Sequence, residues 1–359
     1  MSAPVRVGVV GAGLMSQLAH LANYQQIPGC RLTALAELRP ELRRRVAERY
    51  GIPRSYPSHR ELLADAEVDA VVVVTPRRAT GPVALECLEA GKHVLTEKPM
   101  ASTVEQAERL VSAAQAHGVR YAVGYMRRHD EGVECAKRLM DDVLRRGDLG
   151  PVIFARAHCF MGEGYANIDG QITTTEPVGD AMPEWPMAPA WVPQERQADY
   201  AGFLNVYCHT VNLLRYLMGR TPSVDYAQFE RADGRVAVLD FGEWRAVLEA
   251  GRFTSRGWDE SLEIYFAHGR LRVVLPPAML RNVPATVELY QGGSIQQVQA
   301  PQCGWSWAFR RQAEAFVRDV QEGREPLAGG QDALDDMRLI DDLWRAALRE
   351  PKAALVASS

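Results

Sequence analysis

At 359 residues, 47% hydrophobic and 24% charged, the chain is too long for one small core and has the composition of an ordinary soluble two-domain protein. A formal net charge of −4 excludes general nucleic-acid binding, which needs a basic face, and no apolar run approaches membrane-spanning length. The six cysteines are scattered, without C-x-x-C or paired spacing, so free thiols in a reducing compartment are expected and no metal site. Met1-Ser2-Ala3-Pro4 shows no basic-then-apolar leader pattern, and a cytoplasmic location follows as the expectation.

Val5–Val10 is a nearly continuous apolar run, the pattern of a parallel strand covered on both faces. Gly11-Ala12-Gly13-Leu14-Met15-Ser16 follows at once and leads into a helical stretch from Gln17 to Gln26. After a strand, this G-x-G-x-x-G/A pattern is the turn that receives a dinucleotide pyrophosphate at a helix N-terminus. Gly11 permits the tight turn, Gly13 lets the backbone approach the phosphates, and Ser16 stands in the last, small-residue place. Arg31–Ala36 reads as a second strand closed by Glu37, about 20 residues past the turn, where an acid binds the adenosine ribose 2′-hydroxyl and repels a 2′-phosphate. NAD is therefore expected rather than NADP. Arg39 and the basic run Arg43–Arg45 either form a solvated helix face or soften that preference.

The strand–helix rhythm continues. Arg39–Tyr50 is helical and stopped by Gly51 and Pro53, Ala70–Val74 is an apolar strand ending in Thr75-Pro76, and Thr80–Ala90 is a helix closed by Gly91. Val94-Leu95 forms a buried strand that runs into Glu97-Lys98-Pro99. Pro99 has no N–H to extend a ladder, so the strand ends with the Lys98 ammonium at the carboxyl edge of the sheet, where ligands sit in open α/β folds. Ser102 or Thr103 N-caps a helix that runs to His117-Gly118, and Arg120–Gly124 is a further strand. This alternation predicts an α/β fold opening with a doubly wound parallel sheet, over residues 1–125.

From 126 to 359 the pattern changes to that of an α+β domain. A helix over about Glu131–Arg146 leads to Gly150-Pro151 and a strand, Val152–His158. Phe160 to Tyr200 is an irregular stretch of a length that usually marks function. Leu204–Met218 is predicted helical and ended by Gly219, with Asn205 and His209 four apart on one face, able to meet one small ligand. From Val224 to Tyr290 the chain alternates as an open, mostly antiparallel sheet, with Leu262, Ile264 and Phe266 opposite Glu263 and Tyr265 and a turn at His268-Gly269. Two helices close the chain, one striped by Phe309, Ala313, Phe316 and Val320, the other from about Gln331 to Leu348.

Gly11-Ala12-Gly13, Val73-Val74-Thr75-Pro76, Gly91-Lys92-His93-Val94-Leu95-Thr96-Glu97-Lys98-Pro99, Gly124-Tyr125-Met126-Arg127-Arg128, Gly147-Asp148-Leu149-Gly150 and Asn205-x-x-x-His209 together resemble the Gfo/Idh/MocA family of oxidoreductases, named for glucose–fructose oxidoreductase and inositol dehydrogenase. The resemblance implies a Rossmann domain plus a mostly antiparallel α/β domain, a nicotinamide cofactor, and sugars, cyclitols or related polyols as substrates. It also implies a cis peptide before Pro99 and a homodimer or homotetramer assembled through the open face of the second sheet. It places Lys98 and His209 at the family's catalytic lysine and histidine. Asn205 stands where many members have aspartate, and Arg77 and Thr80 stand where an asparagine and a histidine usually follow Thr-Pro. An asparagine holds a hydroxyl but takes up no proton at neutral pH, which leaves His209 as the general base.

The implied reaction is hydride transfer between nicotinamide C4 and a secondary alcohol or ketone. His209, with an ordinary pKa of about 6.5, exchanges the hydroxyl proton, Lys98 stabilises the developing alkoxide, and Asn205 orients the substrate. Cofactor contacts are expected from Gly11, Ala12, Gly13, Leu14, Met15, Glu37, Arg39, Thr75, Pro76, Glu97 and Lys98. Substrate contacts are expected from Tyr125, Arg127, Glu163, Asp180 and Trp185. Between 160 and 200 the acids Glu163, Asp169, Glu176, Asp180, Glu184, Glu195 and Asp199 interleave with Tyr165, Trp185 and Trp191. That mixture suits an amino sugar, aminocyclitol or aminoglycoside, as in antibiotic biosynthesis, or else is an acidic solvated loop. Two other readings of the chain are an NAD-dependent redox-elimination glycosidase and a non-catalytic, dinucleotide-responsive regulatory protein.

Overall fold

The computed structural model describes residues 3–162, 168–178 and 182–349. Its first sheet contains β1 (Val5–Val10), β2 (Cys30–Ala36), β3 (Arg54–Tyr56), β4 (Ala70–Val73), β5 (His93–Thr96) and β6 (Tyr121–Val123) in the order β3-β2-β1-β4-β5-β6. Every neighbouring pair is parallel. Parallel strands need crossovers, whose helices cover both faces, which is why all four residues of β4 are buried. The crossovers are a π-helical segment, Ser16–Leu21, running into α1 (Ala22–Tyr24), then α2 (Pro40–Arg49), α3 (His59–Leu63), α4 (Arg77–Glu89) and α5 (Val104–Ala116). Of the two candidate caps for α5 it is Thr103 that accepts the Gln106 N–H, at 3.2 Å. The strand order reverses between β1 and β4, which opens a crevice at their carboxyl ends.

A 3₁₀ turn, Met126–His129, leads to α6 (Glu131–Arg146). Asp130 fixes this junction. Its carboxylate accepts the N–H groups of Gly132 (2.9 Å) and Val133 (3.3 Å) as an N-cap and also that of Ala285 (2.9 Å), beside the second sheet. The second sheet comprises β7 (Val152–Met161), β8 (Ser223–Gln228), β9 (Gly234–Asp240), β10 (Arg245–Arg252), β11 (Trp258–Phe266), β12 (Gly269–Leu275), β13 (Thr286–Gln291) and β14 (Gln297–Gln299). Their order is β14-β13-β12-β11-β7-β10-β9-β8, antiparallel except where β10 runs parallel to β7. Three helices complete the chain: α7 (Gln194–Met218), α8 (Ala308–Glu322) and α9 (Gly330–Ala347). Among the described residues no helix is long and apolar enough to cross a membrane.

Around the second sheet, β7 and α7 run beyond the sequence expectation. Strand β7 runs three residues beyond His158, to Met161. Helix α7 begins at Gln194, ten residues before Leu204, with Pro193 as its N-cap residue. Its polar opening, Gln-Glu-Arg-Gln-Ala-Asp, hides a buried stripe of Tyr200, Phe203, Leu204, Tyr207 and Val211 that only packing makes visible. Helix α8 returns to the first sheet, where Ala313, Phe316 and Val317 share a core with Val5, Val7, Val9, Leu35, Val72 and Leu95. Helix α9 is fastened to α7 through a buried polar chain. Asp336 accepts from Arg215 (2.5 Å) and Asn212 (2.6 Å), and Asn212 accepts from Arg128 (2.8 Å).

Candidate active site

A cleft of about 630 Å³ runs from the glycine turn after β1 to the ends of the central strands β7, β10 and β11 of the second sheet. All the expected cofactor contacts line it, Gly11, Ala12, Gly13, Leu14, Met15, Glu37, Arg39, Thr75, Pro76, Glu97 and Lys98, and so do Arg127, Asn205 and His209.

The two glycines of the turn serve different ends. Gly11 has φ +97°, and a Cβ there would lie 2.2 Å from the Val74 carbonyl oxygen, so no side chain fits. A Cβ on Gly13 would meet nothing within 4 Å; its absence leaves bare backbone facing the cleft. Ser16, in the place of the third small residue, donates its hydroxyl to the Gly11 carbonyl at 2.6 Å and so braces the turn. At the end of β2 the buried Glu37 carboxylate accepts the Ala12 N–H (2.9 Å) and two bonds from the Arg39 guanidinium (2.8 and 3.0 Å). Burial alone would raise this carboxyl, but the hydrogen bonds from Arg39 and Ala12 outweigh it and hold it below the usual range. Arg43 donates to the Glu37 carbonyl at 2.7 Å. Arg39 and Arg43 thus grip the strand end rather than forming a solvated face. A bare glycine turn, a hydrogen-bonded acid at the second strand and an elongated cleft fit a dinucleotide laid along the strand ends.

The other end carries an ammonium, a carboxamide and an imidazole, those of Lys98, Asn205 and His209. Lys98 follows β5, and the Lys98–Pro99 peptide is cis. Its ammonium donates to the main-chain carbonyl of Asn205 (2.7 Å) and to the Asn205 side-chain oxygen (3.3 Å). His209 lies one turn further along α7, its ring edge-on to Tyr125 with centroids 6.0 Å apart. Its Nδ1 is buried without a partner among the described residues, which leaves Nε2 as the nitrogen open to the cleft. Burial first, then the cations of Lys98 and Arg127, hold the imidazole well below its ordinary pKa, so the ordinary value expected from sequence does not apply. Behind Lys98, Glu97 accepts from Lys98 N–H (3.2 Å) and pairs with His20 Nε2 (2.8 Å), a buried residue of the π-helical segment.

Of the expected substrate contacts, Arg127 lines the cleft, ion-paired with Glu260, with its guanidinium 5.7 Å from the Trp258 ring centroid. Tyr125 does not line it. That side chain is fully buried and supports the His209 ring from behind. Trp185 is elsewhere, packed over Gly81 on α4 with the Arg109 guanidinium 4.9 Å above its ring. Glu163 and Asp180, like Tyr165, lie outside the described residues. Three of the other acids of the 160–200 stretch have partners in the protein: Glu184 pairs with Arg78 (3.3 Å), Asp199 with Arg196 (3.0 Å) and Arg235, and Glu176 caps α2.

Glu260, Trp258, Arg252, Met161, Met279 and Phe309 also line the cleft and were not expected there. Glu260 did carry a signal, because it shares the parity of Leu262, Ile264 and Phe266 and is a carboxylate on the buried face of β11. Met279 and Phe309 gave none, since their place depends on how distant segments pack.

Comparison with known proteins agrees with this geometry. Residues 5–125 match the family described as "Oxidoreductase family, NAD-binding Rossmann fold". Over 143 residues the chain is 39% identical to Inositol 2-dehydrogenase/D-chiro-inositol 3-dehydrogenase of Shouchella clausii, covering 39% of this chain and only 41% of that one. Over 353 residues it is 28% identical to Inositol 2-dehydrogenase of Rubrobacter xylanophilus, covering 96% and 91%. The crystal structure of aldose-aldose oxidoreductase from Caulobacter crescentus, complexed with glycerol, superposes with a TM-score of 0.73 at 24% identity, covering 96% and 97%, and shows that the fold is shared throughout. With that match over the first sheet and inositol dehydrogenases among its relatives, residues 5–125 carry the NAD-binding Rossmann fold of the Gfo/Idh/MocA oxidoreductases, and the chain as a whole is similar to members of that family.

Proposed function

We propose that this enzyme moves hydride between nicotinamide C4 and a secondary alcohol or ketone of a neutral polyol, a sugar or cyclitol. The observation that carries the reading is the Lys98 ammonium on Asn205, one helical turn from His209, at the far end of the cleft that begins at the glycine turn. In this reading residues 1–125 hold the dinucleotide and the part from 126 onward supplies the substrate side. Bound along the strand ends, NAD supplies the hydride acceptor. Neutral His209, with its ring proton on Nδ1, accepts the hydroxyl proton at Nε2 as hydride leaves the carbon, and in the reverse direction the imidazolium so formed returns that proton to the oxygen. Lys98 stabilises negative charge on the reacting oxygen. Asn205, already accepting from Lys98, orients the hydroxyl but takes no proton.

A neutral substrate is favoured over an aminated one by the charges at that end. Among the described residues Lys98, Arg127 and Arg252 stand there against Glu260, while Glu97 is engaged by His20. The deciding experiment is cofactor reduction across neutral sugars and cyclitols and their aminated counterparts, with NAD and NADP in parallel. Neutral polyols with NAD are expected to react fastest. Faster, salt-sensitive turnover of aminocyclitols or aminoglycosides would reverse the substrate class, and NAD binding without turnover of any polyol would leave the regulatory reading instead.

A cytoplasmic site of action agrees with six free cysteines. A homodimer or homotetramer through the open face of the second sheet is supported by Phe154, Phe160 and Tyr265, partly exposed there beside the Arg156–Glu249 pair (2.6 Å). Sedimentation as a monomer at micromolar concentration would remove that assignment.

A further inference from the structure

Between β7 and α7 the chain leaves the second sheet and crosses the dinucleotide half. Gln17 binds Ile172 in both directions (Nε2 to the carbonyl at 3.0 Å, and the Ile172 N–H to Oε1 at 2.7 Å). Arg45 and Arg49 of α2 donate to the carbonyls of Thr173 (3.3 Å) and Gly170 (2.5 Å). The segment ends on α2. That helix has no side-chain cap of its own: its N-cap residue is Arg39, followed by Pro40. The Glu176 carboxylate, from 135 residues away in sequence, takes the place of a cap, accepting the N–H groups of Glu41 and Leu42 at 3.0 Å each. Thr174 steadies it with a hydroxyl bond of 3.0 Å, and Val178, two residues on, lines the cleft.

We propose that Glu176 is a specificity-determining residue that excludes the 2′-phosphate of NADP. This rests on the dinucleotide reading of the cleft. The 2′ position of an adenosine ribose is read at the end of β2, where the chain turns through Glu37 and Arg39 into α2. A phosphate there could draw on two local sources of positive potential, the Arg39 guanidinium and the free N–H groups of the α2 start. Both are already used, Arg39 by Glu37 and the helix start by Glu176. Glu176 is held in its charged form, first by the Glu41 N–H it accepts, and it is close enough to Arg39 for the two to interact. A dianion would meet two carboxylates instead of two donors. The acid at the second strand thus has a partner from the other half of the molecule that the strand-end pattern does not contain.

The test is direct binding of NADH and NADPH, with no polyol present, followed by cofactor fluorescence for the parent, Glu176→Gln, Glu176→Lys and the control Glu184→Gln, an exposed acid of the same connection paired with Arg78. The ratio of the NADPH to the NADH Kd is expected to fall by about tenfold in Glu176→Gln and further in Glu176→Lys, and to stay at the parent value in the control. An unchanged ratio in both Glu176 variants overturns the proposal, as does an equal weakening of both cofactors, which would make the contact a brace only. A parent that binds neither cofactor would instead overturn the dinucleotide reading on which it rests.

Discussion

Lys98→Met is expected to lower turnover by about 10²–10³-fold while NADH binding changes by no more than about threefold. Among the described residues the ammonium bonds to Asn205, through one main-chain and one side-chain oxygen, which leaves a donor for the cleft that Lys98 lines. A charge placed there does little for a neutral alcohol and much for an alkoxide, and its loss should therefore appear in the chemical step. Methionine keeps the length and the apolar stem, which limits collapse of the site. Single-turnover hydride transfer, with cofactor binding measured separately, decides the matter. Equal losses in both would make Lys98 a cofactor anchor and remove it from the chemistry.

His209→Ala is expected to cost about 10²–10⁴-fold, the range for a positioned acid–base group. The pH dependence says more. Burial, Lys98 and Arg127 all disfavour the imidazolium, so the ring stays neutral at pH values where an exposed histidine would already be protonated. The parent kcat/KM should accordingly hold level as pH falls through about 6.5 and decline only below it. Removing the Lys98 charge takes away one of the two repelling cations, so the residual activity of Lys98→Met should fall off at higher pH than that of the parent. Profiles with coincident acid limbs would show that the two groups do not face a common point.

How far the sequence announced this site differs by residue. The glycine turn, Glu37, Lys98 and the Asn205/His209 pair were legible because each is tied to a local rule: a turn after a strand, a strand end stopped by proline, a helical spacing of four. Strand β3 and helix α3 were not, since three and five residues are too few to show a period. The 160–200 acids were legible as a cluster but not in purpose. Composition suggested a charged ligand, whereas Glu176, Glu184 and Asp199 answer to α2, Arg78 and Arg235, partners that only the path of the chain brings near. Tyr125 and Trp185 failed for a related reason: an aromatic side chain packs as readily behind a site as beside a ligand.

The return of α8 to the first sheet means that the order of synthesis and the order of completion are opposed. The strands that carry the glycine turn emerge early, yet the hydrophobic layer beneath β1 is finished only by Ala313, Phe316 and Val317 near the far end of the chain. Until that helix arrives, the nascent nucleotide half has an apolar flank open to water, and its final consolidation must wait for translation of nearly the whole polypeptide.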